Sequence, residues 1–101
     1  MGTLAYDTKF TAYFDDRVLA HLQVVIGAKL RRGESFHFSW TMGENVPGRT
    51  TLWLHPTVPL VYTFSDNSEP RLNRLWIEAL MASANSAAGL HIVDEPIPAI
   101  K

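Results

Sequence analysis

The 101-residue chain predicts an α+β fold, a single domain in which an antiparallel sheet carries two helices packed on one face. Three observations predict it. Two segments repeat apolar residues at helical spacing, six short segments alternate or cluster apolar residues as strands do, and together they run in the order ββαβββαβ. The length suits one hydrophobic core rather than two. With 47% hydrophobic and 19% charged residues, the composition is that of a chain able to bury such a core.

Residues 2–14 read as two short strands, with Leu4 and Tyr6 alternating in the first and Phe10, Ala12 and Phe14 in the second. Asp7-Thr8-Lys9 is the tight turn between them. Asp15-Asp16 then supplies an N-cap and negative charge at a helix start. That helix runs from Arg17 to about Arg32, with Val18, Leu19, Leu22, Val25, Ile26 and Leu30 on one face. Lys29, Arg31 and Arg32 fill its last turn and Gly33 follows as the C′ residue. Next, Phe36, Phe38 and Trp40 alternate with Ser35, His37, Ser39 and Thr41. Residues 42–49, with Gly43, Asn45, Pro47 and Gly48, form a loop. Strands follow over residues 50–55 and 59–64, separated by a turn that Pro56 and Pro59 bracket. Short connections make these three strands an antiparallel meander.

The second helix is expected with Ser68 or Glu69 ahead of it and Pro70 in its first turn. Leu72, Leu75, Trp76, Ala79 and Leu80 form its apolar stripe, and it fades between Ser83 and Ser86. Leu90 to Val93 is the final strand. The domain thus covers residues 1–93, and residues 94–101, with Glu95, Pro96 and Pro98, are expected as an extended tail.

Several function classes fall away on composition and motif. Without cysteine there is no disulfide framework, thiolate zinc site or thiol nucleophile. No apolar run approaches the ~18 to 20 residues of a membrane span. The start, Met1 to Asp7, lacks the basic and apolar regions of a signal peptide, so a cytoplasmic location and no membrane partner are expected. A net charge of −1 argues against a protein built around nucleic-acid electrostatics, while leaving room for a local patch. There is no Gly-x-Ser-x-Gly turn, and Gly43 to Gly48 lacks the lysine of a phosphate loop. No cofactor and no catalytic residue is implied.

The candidate site is the second sheet face, with His37, Ser39, Thr51, Trp53, His55, Val61 and Thr63. His37, Trp53 and His55 on adjacent strands could stack a base or ring. Two histidines without a third ligand make a poor metal site, so none is expected. A half-exposed face, or one covered by another subunit, explains the same residues and is preferred, since aromatic and β-branched side chains suit pleated surfaces. Lys29, Arg31 and Arg32, with Arg49 from the loop nearby, could meet phosphate, although cations at a helix C-terminus also complement its dipole. Arg74 and Glu78, four apart, suit an ordinary surface pair. His21 and His91 read as structural histidines.

The runs Phe14 to Phe36, Arg49-Thr50-Thr51-Leu52-Trp53-Leu54-His55-Pro56 and Trp76-Ile77-Glu78-Ala79-Leu80-Met81 carry a resemblance. Together they are similar to a family of short actinobacterial proteins of no established function, over nearly the whole chain. Its members often carry the label ATP-dependent DNA ligase. The resemblance therefore implies at most a place near DNA metabolism. Ligase activity would need a nucleophilic lysine in a Lys-x-Asp-Gly motif, and Lys9, Lys29 and Lys101 do not start one. The function expected is a non-catalytic interaction module that self-associates as a homo-oligomer. The alternative is an accessory nucleic-acid binder using His37, Trp53, His55, Arg31, Arg32 and Arg49.

Overall fold

A computed structural model describes residues 1–42 and 45–97. The eight expected elements are present in the expected order: β1 (Gly2–Tyr6), β2 (Phe10–Phe14), α1 (Asp16–Arg31), β3 (Phe36–Thr41), β4 (Arg49–Leu54), β5 (Leu60–Thr63), α2 (Arg74–Ala84) and β6 (Leu90–His91). The α+β class holds. Residues 43 and 44 of the expected loop, and 98–101 of the expected tail, lie outside the described residues.

The six strands form two three-stranded sheets instead of one, ordered β2-β1-β5 and β4-β3-β6. The predicted meander therefore stops at β4. β5 crosses to the other sheet and pairs antiparallel with β1, Ala5 opposite Val61 and Leu4 opposite Tyr62. Alternation along β5 says which side chains face inward, but the same pattern serves any neighbour, so it could not name the partner. The connection favours departure: the chain turns at His55, where the Val58 N–H donates to the His55 carbonyl, and Pro56 and Pro59 have no N–H to continue a ladder. Once across, the Asp7 N–H donates to the Pro59 carbonyl and extends the β1–β5 pairing. The short β6 adds to β3 in parallel, Phe38 opposite Leu90.

The two sheets and the helices share one core. Leu4, Ala12 and Phe14 from one sheet meet Phe36, Phe38, Trp40 and Leu54 from the other, with α1 giving Leu19, Leu22, Val25 and Ile26. Phe14 packs edge-on against Trp40 at 5.5 Å and against Phe38 at 6.0 Å, tying β2 to β3. The Tyr6 hydroxyl donates to the Trp53 carbonyl, a second tie between the sheets. Burial of each such side chain stabilises by about 1.5 to 3 kcal/mol.

α1 starts where expected, whereas α2 does not. Asp15 is the N-cap of α1 but its side chain makes no capping bond, while Asp16 accepts from the Ser65 N–H at 3.0 Å and the Ser65 hydroxyl at 2.6 Å. Asp16 thus anchors the chain just after β5. α2 begins at Arg74, beyond Pro70, because Asn73 caps it: its Oδ1 accepts from the N–H groups of Leu75 and Trp76. The later start moves the buried stripe to Trp76, Leu80, Ser83 and Ala84, and leaves Leu72 and Leu75 exposed. No helix among the described residues is long and apolar enough to cross a membrane.

The β1–β2 turn carries strain. Asp7 and Thr8 have φ of 56° and 55°, with the Lys9 N–H donating to the Tyr6 carbonyl. This pair of positive φ values is what tight hairpin turns need and what a β-branched threonine resists. Thr8→Gly is expected to raise stability by about 1 kcal/mol, read from urea unfolding midpoints. Gly89→Ala is expected to act in the opposite direction. Gly89 has φ +85°, and a Cβ there would lie 2.6 Å from the His37 carbonyl oxygen.

Candidate functional site

Alternation along β3 and β4 sends Phe36, Phe38, Trp40 and Leu54 inward, leaving His37, Thr41, Arg49, Thr51 and Trp53 exposed on the outer face. Register makes His37 and Trp53 direct cross-strand partners, and their rings meet edge-to-face at 4.8 Å. Trp53 is 51% exposed. Beside them the Ser39 and Thr51 hydroxyls bond at 2.8 Å, and His91 on β6 stands next to Ser39.

The structure therefore joins two of the six predicted site residues and spreads the others. Arg49 shares the face but stands four residues along β4 from Trp53, about 13 Å at strand rise. His55 lies past the end of β4, where its Nδ1 is engaged by the Thr57 hydroxyl at 2.7 Å and the Thr57 N–H at 3.2 Å. Arg31 and Arg32 are exposed at the end of α1, with Arg32 3.4 Å from Glu34. Val61 and Thr63, expected on this face, belong to the other sheet because β5 pairs with β1. The face is consequently polar apart from Trp53.

At the His37–Trp53 end a cleft of about 280 Å³ opens towards the ends of both helices, with Lys29, Ser35, Asn85 and Ser86 on its walls. Lys29 is no member of an outward basic cluster. It is 5% exposed, its Nζ donates to Asn85 Oδ1 at 2.7 Å and pairs with Glu34 at 2.8 Å, and it lies over the Phe36 ring. The bond from Lys29 holds the Glu34 carboxyl below its ordinary range. The ammonium is thus committed to tying α1 to the end of α2.

A second polar cluster supports the packing of the helices. His21 is fully buried, and its ring lies 4.5 Å from that of Trp76. Its Nε2 accepts the Asn73 N–H at 2.7 Å, so the ring hydrogen sits on Nδ1, which donates to the Arg17 carbonyl at 2.7 Å. Arg17 grips Glu95 with two guanidinium nitrogens and donates to the Arg71 carbonyl at 2.7 Å. Asn73 Nδ2 donates to Glu95 at 2.8 Å and to the Pro96 carbonyl at 3.1 Å, and Trp76 Nε1 donates to the Val93 carbonyl at 2.8 Å. Residues 92–97 have no regular secondary structure, yet these bonds fasten Val93, Glu95 and Pro96 to both helices. The bonds from Arg17 and Asn73 hold the Glu95 carboxyl down at about 2.

Among the described residues no three His, Asp or Glu side chains gather where they could hold a metal ion. The Ser83 hydroxyl donates to the Leu80 carbonyl and accepts from the His91 N–H, so it too is engaged structurally. A family model described as a domain of unknown function, DUF7882, matches residues 1–95. The chain belongs to that family. No curated protein and no solved structure matches it. The DUF7882 match spans both the outer face and the segment reaching Glu95, so both lie within the family's domain.

Sequence reading missed the Asn73 cluster. Asn73 directly precedes the apolar stripe and is a strong N-cap type, a signal that outranks the Pro70 on which the expected start relied. The Arg17–Glu95 bond, 78 residues apart, has no local signal. Asn73→Ala is expected to cost about 1 to 2 kcal/mol in thermal or urea unfolding. Glu95 titrates near 2 when folded and near 4.5 otherwise, so its contribution is complete above 4.5 and disappears as pH falls towards 2. Stability of Glu95→Gln, followed by urea midpoints from pH 5 downwards, is therefore expected to fall less steeply than that of the natural chain.

Proposed function

We propose that this chain is a small, non-catalytic, cytoplasmic interaction module that associates with a second copy of itself. The observation that carries this reading is an apolar groove of about 630 Å³ beside β2, lined by Met1, Phe10, Phe14, Trp40, Met42 and Ile92. Met1 and Met42 are exposed there, and Tyr13 stands out from the same strand. Contiguous apolar surface of this kind is characteristic of contact sites. The groups best suited to chemistry support the non-catalytic part: His21, Lys29 and Ser83 are each bonded into the framework.

The His37–Trp53 pair favours a second reading, an accessory nucleic-acid binder, with Arg49 on the same face and Arg31 and Arg32 exposed nearby in sequence. The resemblance to actinobacterial chains that carry a DNA ligase label points the same way. Ligase chemistry itself is not proposed, because Lys29 is buried against Glu34 and no lysine begins the required motif.

Molar mass by light scattering, from low to high micromolar concentration, is expected to rise from one to two chains. A titration with labelled DNA and RNA at low salt is expected to show no binding. Persistent monomer would overturn self-association. Binding that weakens with salt and with Trp53→Ala would move the second reading to first place.

A further inference from the structure

Building on the self-association proposed above, we infer that β2 is the contact strand, and that it pairs antiparallel with β2 of a second copy about a two-fold axis at Ala12. The pairing would join two β2-β1-β5 sheets into one of six strands. β2 is hydrogen-bonded on one side by β1 and, among the described residues, has no strand on the other. Its five residues, Phe10-Thr11-Ala12-Tyr13-Phe14, include no charge and no proline. Natural edge strands use such residues to repel a second strand, so this one is unguarded. The remaining edges are less suitable. β5 has four residues and follows Pro59, β4 starts with Arg49 and ends before His55-Pro56, and β6 has two residues.

Register follows from the pleat. Ala12 and Phe14 face the core while Thr11 and Tyr13 face solvent. Two copies keep their inner faces on the same side only if residues of the same parity pair. Pairing about Ala12 meets that condition and uses the whole strand. It sets Phe10 opposite the partner's Phe14, and Thr11 opposite the partner's Tyr13. Inward-facing side chains of β2 border the apolar groove, so those of the partner enter it from the far side of the joint.

Charge is complementary in this same register. Lys9 falls opposite the partner's Asp15, and two-fold symmetry repeats the pair. Both residues are exposed, and among the described residues neither takes part in an ion pair. Asp15 makes no capping bond that would otherwise occupy its side chain. Opposite charges thus flank an uncharged strand at the spacing that antiparallel self-pairing requires.

The test is a charge exchange read by sedimentation equilibrium on the full chain. Lys9→Glu and Asp15→Lys each replace two attractions with two repulsions, and each is expected to weaken the dimer about tenfold. The double variant restores opposite charges and is expected to recover the original dissociation constant, which also shows that neither change damages folding. Trp53→Ala is expected to leave the constant unchanged. A dimer that keeps its constant in both single variants, or loses it with Trp53→Ala, overturns the β2 register while leaving self-association in place. A chain that stays monomeric throughout overturns both.

Discussion

β1 is the middle strand of its sheet, and the rest of the architecture depends on what it holds on either side. Its hairpin partner β2 takes one edge, and β5, arriving from more than fifty residues away in the chain, takes the other. With β5 gone from the neighbourhood of β4, the strands cannot close into one sheet. Two three-stranded layers result, joined through Phe14, Phe38 and Trp40 and by the Tyr6 hydroxyl on the Trp53 carbonyl. The same division strips Val61 from the β3–β4 face and leaves that face polar around Trp53. It also leaves β2 with an open ladder.

Helix packing rests on a different kind of constraint. Asn73 spends its side-chain oxygen on the start of α2 and its side-chain amide on Glu95 and Pro96, while its backbone N–H meets His21. One residue therefore positions a helix, satisfies a buried imidazole and fastens the segment after β6. The buried polar groups of this region are all hydrogen-bonded, so burial does not leave them uncompensated. At the opposite ends of the helices, Lys29 performs a similar task with Asn85 and Glu34. The helices are thus tied at two places by side chains whose partners lie far away in sequence.

The sequence was readable where a property repeats locally. Alternation in Phe36 to Thr41 placed His37 outward, and the same rule placed Trp53 outward, so the central pair of the candidate face was legible before any pairing was known. The α1 end was legible too, because Gly33 takes the positive φ of 76° that its position implied. Pairing of β5 was not legible, since Leu60, Tyr62 and Phe64 alternate with Val61 and Thr63 identically beside β4 or β1. Nor could three basic residues in one helix turn reveal that Lys29 is buried while Arg31 and Arg32 are exposed: that depends on Asn85, 56 residues away in the chain, coming to meet Lys29. Asn73 is the intermediate case, a local capping signal overshadowed by the nearby Pro70.

Fold and function meet at β2. Its inner residues help build the core, its outer ones face solvent, and its free edge adjoins the apolar groove. Amide hydrogen exchange, followed residue by residue at low and high protein concentration, tests this arrangement most directly. At low concentration β1 amides are predicted to exchange slowly, with alternate β2 amides, those turned away from β1, exchanging fast. At high concentration those β2 amides are predicted to become slow as well. Fast exchange of them at every concentration in a chain that nonetheless dimerises would contradict the open-edge account.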